Sequence, residues 1–365
     1  MASDSSSALT PDPALLDDVA RLRAGDPADM LGAVASAGAQ IRDGLAMVGN
    51  LDLGPRPRAL VVAGMGGSAA SGDVLVAVAG PACPIPLVVH RGPGLPAWVG
   101  PEDLVVGLSC SGRTEETLAA VAAAVERKTR LVTIGAPGSP LETAGAGAPH
   151  LAVDAGGRQP RASLWSLATP LLLVGEAVGV TPDARSRLTA AATVLDAVAA
   201  VSGPGVETSS NRAKELALHL AGGLPVLWGP PGVGATVANR FACQIAENAK
   251  QPSMPGVLSE AHHNQIVSFD GPTAGADGLR LVVLADDEEP PASAARVEQS
   301  QIAAGEAGVP AVLLRGSGPD LVSRLAGLIA LVDFASVYLA LLGGVDPTPV
   351  AAIESLKARL AQTDS

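Results

Sequence analysis

Apolar residues near the start of the chain recur at helical spacing: Leu15, Leu16, Val19 and Leu22, then Met30, Leu31 and Val34. Asp26-Pro27 interrupts the series, because proline removes a backbone donor and disfavours helix in the residue before it. The spacing predicts two helices over 13–50, preceded by a polar, disordered tail over 1–12. The period then changes. Residues 58–63, 87–90, 104–108, 131–134 and 150–153 are short runs rich in Val, Leu and Ile, several of them separated by Ala-rich helical stretches such as 115–128. Continuous apolar runs predict strands buried on both faces, and their alternation with helices predicts an α/β fold with a doubly wound parallel sheet.

The same pattern begins again further along. Residues 160–200 read as helical, and Ser-Gly-Pro-Gly at 202–205 reads as a linker. A strand at 226–228 then leads into a Gly-rich turn at 229–236, with further strands at 279–284 and 311–314. A long apolar helix follows over 321–342, and a terminal one over 350–360. Both halves run strand, Gly-rich turn, helix, strand. They are therefore expected to be two copies of one α/β unit, over 51–201 and 206–345, with 346–365 as a C-terminal helix.

Composition narrows the classes open to this chain. Hydrophobic residues make up 48% and aromatic ones only 2%, so the core must be built from aliphatic side chains. The net charge is −12, and no Lys/Arg cluster offers the basic face that a nucleic acid requires. A single phosphate remains possible, because backbone dipoles can hold it locally. Cys83, Cys110 and Cys243 lie far apart, and an odd number suits no disulfide framework. A reducing, cytoplasmic setting is expected. The N-terminal stretch has no apolar signal-peptide core and no run stands out as a membrane span, so no membrane partner is expected.

Candidate chemistry gathers at several places. In LVVGLSCSGRTEET (104–117), a buried-looking strand runs into Ser109, Ser111 and Thr114 and then a helix. Such a turn presents free backbone N–H groups and the positive end of a helix dipole, and hydroxyls add uncharged donors for phosphate oxygens. GMGGSAASGD (64–73) has the same strand-to-helix setting, with Gly67 and Ser68 in it. Its spacing is not a clean G-x-G-x-x-G, and no acidic residue closes the next strand, so a dinucleotide is disfavoured. GPPGVGAT (229–236) nearly fits a P-loop but carries Ala235 where a phosphate-binding Lys is required, which favours a structural turn.

Another place is Gln244–Lys250 with Glu260–Asn264. It holds Glu247 late in a helix and the pair His262-His263 at a helix–loop junction. A helical Glu is ordinarily a solvated side chain. No Cys or His stands at ligand spacing to make the histidines a zinc site, which leaves proton transfer as the simpler role. Arg161, in GGRQPRASL, follows the fifth predicted strand. An ordinary surface arginine competes there with one reaching a ligand at the sheet's C-terminal edge.

In order, GMGGS, S-x-S-G-x-T, P-R-A, E-N-A-K, the H-N step and DPTPVAAIESLK resemble the sugar isomerase (SIS) domain proteins. They are most similar to the bifunctional phosphoglucose/phosphomannose isomerases. The resemblance spans nearly the whole chain. It implies two SIS subdomains, each a five-stranded parallel sheet flanked by helices, assembled as a homodimer that acts on a small sugar phosphate without a cofactor. It implies that Gly67, Ser68, Ser109, Ser111 and Thr114 bind the phosphate. It implies Glu247 as catalytic base, His263 as a ring-opening residue supplied across the dimer interface, Arg161 beside the reacting carbons, and Lys357 near the sugar ring, with Thr348 in the same terminal motif. The implied activity interconverts fructose 6-phosphate with glucose 6-phosphate, mannose 6-phosphate or both. The chain departs from the family pattern at Ala246, where Asn is frequent, and at Gln265, where Glu is frequent. A non-catalytic phosphosugar sensor is the competing expectation, though a sensor needs neither Glu247 nor His263. A nicotinamide-dependent dehydrogenase is a more distant one.

Overall fold

The computed structural model describes residues 12–272, 274, 275 and 278–363, so all but the last residue of the expected tail lies outside the described residues. The N-terminal segment forms four short helices rather than two: Ala14–Asp17, Val19–Gly25, Met30–Ala35 and Ala37–Met47. Closely spaced aspartates divide it. Asp18 accepts from the Arg21 amide, Asp26 from the Met30 and Leu31 amides, and Asp29, at φ +54°, from the Gly32 amide. Each restarts a helix by satisfying its first free donors. Of the apolar positions in this segment, Leu16, Leu22, Met30, Leu31, Val34 and Ile41 are buried in the main core, while Leu15 and Val19 are half-buried.

The first sheet holds β1 (Leu60–Ala63), β2 (Leu87–His90), β3 (Leu104–Ser109), β4 (Arg130–Gly135) and β5 (His150–Ala152), all parallel, in the order β2-β1-β3-β4-β5. Helices α1 (Gly66–Ala79), α2 (Glu115–Glu126), α3 (Leu164–Ala177) and α4 (Ala184–Ser202) belong to this half. Leu60, Val62 and Val106 face the main core with α1 and α3, while Val61, Val105 and Leu131 pack with α2. Every residue of β3 is buried, as its unbroken apolar run requires.

The second sheet has β6 (Leu224–Gly229), β7 (Met254–Val257), β8 (Leu279–Asp286) and β9 (Ala311–Gly316), also parallel, in the order β7-β6-β8-β9. It repeats the first order without a fifth strand among the described residues, a correction to the five strands implied for each half. Its helices are α5 (Val233–Gln244), α6 (Pro291–Glu306) and α7 (Leu321–Leu342), and α8 (Ala351–Thr363) ends the described chain. Helix α7 is long and apolar enough to cross a membrane, with mean hydropathy 2.2, yet 89% of that window is buried inside the protein. It packs against α4 and α5 and joins the two halves in one core that holds Val62 and Val106 of the first sheet and Leu227 and Leu284 of the second.

Candidate active site

The C-terminal ends of β1 and β3 are neighbours, and their turns build one cradle. Gly64 follows β1 because a Cβ there would lie 2.9 Å from the Leu108 carbonyl oxygen. After β3, Gly112 adopts φ +64°, which lets the chain reverse into α2. The four predicted hydroxyls come together around these turns. Ser109 and Thr114 share a 2.9 Å hydrogen bond between their hydroxyls, and the Gly112 amide donates to Ser109 Oγ at 3.1 Å. The Cys110 amide donates to Ser68 Oγ at 3.3 Å, tying the second turn to the first. Ser111 Oγ accepts from the Arg113 amide and is exposed. The N-termini of α1 and α2 open beside this cradle, so its local field favours an anion although the protein is acidic.

Gly67 connects the cradle to Arg161. A Cβ on Gly67 would lie 3.0 Å from the Pro160 carbonyl oxygen, so the short 3₁₀ turn Pro160–Ala162 sits directly against the start of α1. Arg161 is only 2% exposed, which excludes the surface reading. Its Nε donates to Asn248 Oδ1 at 2.7 Å, and its Nη2 donates to the carbonyls of Pro347 and Thr348 at 2.8 Å each. Its Nη1 lies 3.6 Å from Glu247 Oε2. Burial lowers the Arg161 pKa from its ordinary value, while the Glu247 charge opposes that shift.

Glu247 does not sit in regular helix, as its spacing suggested. It lies in a π-helical turn, Ile245–Ala249, that extends α5 and ends at Lys250 with φ +57°. Such turns add one residue to a helical circuit and re-aim side chains. The Glu247 side chain is 30% exposed, open enough to meet a ligand. It borders a hollow of about 650 Å³, also lined by Ala246, Lys250, Pro349, Val350 and Ile353. Lys250 Nζ donates to the Glu247 and Pro347 carbonyls, and burial lowers its pKa, with the Arg161 charge adding to the effect.

Beneath the site, Arg240 donates to Asp333 through Nε at 3.1 Å and Nη2 at 2.7 Å. The same Nη2 donates to the backbone carbonyl of Arg161 at 2.6 Å. Burial pushes the Asp333 carboxyl up, against the pull of Arg240. Asn248, Arg240 and Asp333 were not among the candidates read from sequence. For Asn248 a signal existed, since it stands next to Glu247 in E-N-A-K. For the Arg240–Asp333 pair, 93 positions apart, none did.

The structure does not bring every predicted residue to this cluster. His263 ends the 3₁₀ turn Ala261–His263 and is exposed, with no recorded bond to Arg161 or Glu247. Its neighbour turns inward: His262 Nε2 bonds Ser300 Oγ at 2.8 Å, its ring meets Trp228 edge-on, and burial lowers its pKa. The two histidines serve different surroundings, and no cluster of metal-ligating side chains occurs among the described residues. Gln265 accepts from Trp228 Nε1 at 2.7 Å. Lys357 lies on α8, whose residues 351–360 are all exposed, and has no recorded bond to the cluster. Thr348 meets Arg161 through its carbonyl, while its Oγ1 is buried without a partner. In the second half, the Gly-rich turn is packed backbone on backbone. A Cβ on Gly229 would lie 2.2 Å from the Gly234 carbonyl carbon, so glycine is required where this turn closes on itself.

Tandem parallel sheets of one strand order, with a hydroxyl cradle on the first and an Arg–Glu pair across the seam, define a double-SIS α/β protein. Residues 209–360 match the bacterial phospho-glucose isomerase C-terminal SIS domain. The chain is 34% identical over 305 residues to the bifunctional phosphoglucose/phosphomannose isomerase of Caldicellulosiruptor bescii, covering 83% of this chain and 89% of that protein. It is 30% identical over 276 residues to the enzyme of that name from Aquifex aeolicus, covering 75% and 81%. The chain belongs to the bifunctional phosphoglucose/phosphomannose isomerase family. Its fold is similar to that of hypothetical protein TT0462 from Thermus thermophilus, with TM-score 0.72, 20% identity and coverage of 97% of this chain and 95% of that one. It is also similar to the C-terminal domain of glucosamine-fructose-6-phosphate aminotransferase from Francisella tularensis, with TM-score 0.64, 14% identity and coverage of 88% and 98%.

Proposed function

We propose that this protein is an aldose–ketose isomerase that interconverts fructose 6-phosphate with glucose 6-phosphate, mannose 6-phosphate or both. One observation carries the reading: a carboxylate and a buried guanidinium stand 3.6 Å apart, joined through the Gly67–Pro160 contact to a hydroxyl-lined anion turn. The phosphate binds at Ser68, Ser109, Ser111 and Thr114, with the Gly67 backbone closing the cradle. Glu247 takes the C2 proton of the open-chain aldose, and a cis-enediolate forms. The same carboxyl returns the proton to C1, while a proton moves between O1 and O2 to complete the ketose. Arg161 stabilises the negative charge on the enediolate oxygens, an interaction strengthened by burial. The proton and electrons stay within the sugar, so no redox cofactor is required.

Glucose and mannose 6-phosphates give the same enediolate and differ only in the face of C2 that is reprotonated. Ring opening is assigned to His263, delivered from a second copy in a homodimer. The exposure of His263 at the end of its 3₁₀ turn, where a second copy can reach it, supports that arrangement. Lys357 on α8 is assigned to the sugar ring, and the site to a cytoplasmic enzyme. Glu247→Gln should abolish isomerisation of fructose 6-phosphate in a coupled assay while leaving phosphate-dependent binding intact. Unchanged turnover in that variant overturns the proposal.

A further inference from the structure

A guanidinium carries five N–H donors in a rigid planar fork. In Arg161 three of them are already committed. The Nε–H goes to Asn248 Oδ1, and the two Nη2 hydrogens go to the Pro347 and Thr348 carbonyls. Among the described residues Nη1 makes no hydrogen bond, and it stands in ionic contact with Glu247 Oε2. The plane of the fork is fixed on two sides, and its remaining edge is turned toward the carboxylate where the sugar carbons react.

Asn248 holds that plane and is itself held. Its Nδ2 donates to Ser336 Oγ at 2.9 Å, and the Ser336 hydroxyl donates to the Asp333 carbonyl at 2.6 Å. The direction of this chain is unambiguous. Ser336 spends its one proton on Asp333, so it can only accept from Asn248. The amide NH₂ must then face Ser336, and the amide oxygen must face Arg161. Asn248 and Ser336 are both fully buried, so water does not offer a substitute partner. Donors and acceptors aligned in one direction polarise each other and stiffen the set.

We propose that Asn248, oriented by Ser336, is a positioning residue that keeps the Nη1 edge of Arg161 uncommitted and aimed at the enediolate oxygens. This rests on the isomerase reading and adds residues that do not touch substrate. It also assigns a function to the π-helical turn, which lets adjacent residues, Glu247 and Asn248, address the same guanidinium. A misaligned fork would still fill its place and still carry charge. It would lose the geometry that matters only as charge develops on the sugar.

Two variants keep the core filled. Ser336→Ala leaves Asn248 in place but frees its amide to turn. Asn248→Asp keeps the shape and the acceptor but sets a buried carboxylate against Arg161, drawing on the charge meant for the enediolate. Each should lower kcat about tenfold or more with KM for fructose 6-phosphate held within about twofold, because ground-state phosphate binding is untouched. In parallel, the Arg161 Nε–H resonance, assigned by its loss in Arg161→Lys, should exchange with water at least about tenfold faster in Ser336→Ala and stay protected in Asn248→Asp. Values of kcat within about twofold of the parent in both variants overturn the proposal. So does a fall matched by loss of folded protein in thermal unfolding, or an unchanged Nε–H exchange rate in Ser336→Ala. A parent protein without turnover would instead sink the isomerase reading, and the exchange rates would still decide how Arg161 is held.

Discussion

Ser109 stands where strand becomes anion turn. Its hydroxyl accepts from the Gly112 amide and shares a hydrogen bond with Thr114, and it is 1% exposed. The turn is thus organised before a ligand arrives, which spares the binding step the cost of ordering it. On the proposed assignment, Ser109→Ala removes one hydroxyl from the phosphate turn and loosens Thr114 at the same time. A hydrogen bond to a charged group contributes about 1.5–3 kcal/mol, so KM for the sugar phosphate should rise about tenfold to a hundredfold. Because the hydrogen bonds of Ser109 run to Gly112 and Thr114 and not to Glu247 or Arg161, kcat should change little. Steady-state kinetics separate the two parameters, and a large fall in kcat at constant KM would count against a purely phosphate-binding turn. Calorimetric titration should give one sugar phosphate per chain. The corresponding end of the second sheet carries Asp286 in place of Ser109. There Arg324 is already engaged by Asp286 and Glu288, which leaves acidic charge where an anion would sit.

At the scale of elements, the N-terminal helices are fastened to the connection between the two halves. The Asp17 carboxylate accepts from both the amide and the hydroxyl of Thr208 at 2.8 Å and lies 3.4 Å from Lys214 Nζ. The Thr208 hydrogen bonds lower the pKa of Asp17 below the ordinary aspartate value. A carboxyl with a depressed folded-state pKa contributes stability that is fully present above its unfolded value and is lost as pH falls through the lowered one. Urea midpoints measured below about pH 5 should therefore decline less steeply for Asp17→Asn than for the parent, and parallel curves would contradict this. Legibility in the sequence follows the same scale. Strands β1 to β4 could be read because continuous aliphatic runs have few other uses. Strand β7 could not, since Met-Pro-Gly-Val carries two poor strand formers and lies half-exposed at a sheet edge. The split of the N-terminal helices depends on three aspartates whose capping role shows only once the backbone is in place. Ser109, Ser111 and Thr114 were visible as one local motif. The Arg161–Asn248 and Arg161–Thr348 bonds span 87 and 187 positions and leave no trace in spacing.

For the molecule as a whole, the main core is common to both halves. Trp165 of α3 is buried in it, and Trp228 of β6 lies in the adjoining cluster, stacked on Phe269. Helix α7 leaves no clean boundary along which one half could open alone, and Arg161 with Glu247 ties the halves again at the site. Single-Trp variants reporting on Trp165 and Trp228 should give coincident urea transitions. Midpoints separated by more than about 0.5 M would show that the halves unfold independently.

The π-helical turn carries a consequence for how this family can change. An extra residue in a helical circuit is a frame shift in space, about 100° of rotation for everything beyond it. Loss of the codon for Ile245 or Ala246 would let α5 run on as ordinary helix, with better backbone hydrogen bonding, and would swing Glu247 and Asn248 away from Arg161 together. The most economical route to a tidier, more regular protein is thus also the route to an inert one. Drift toward helical regularity at this turn is where selection for turnover must act against selection for stability.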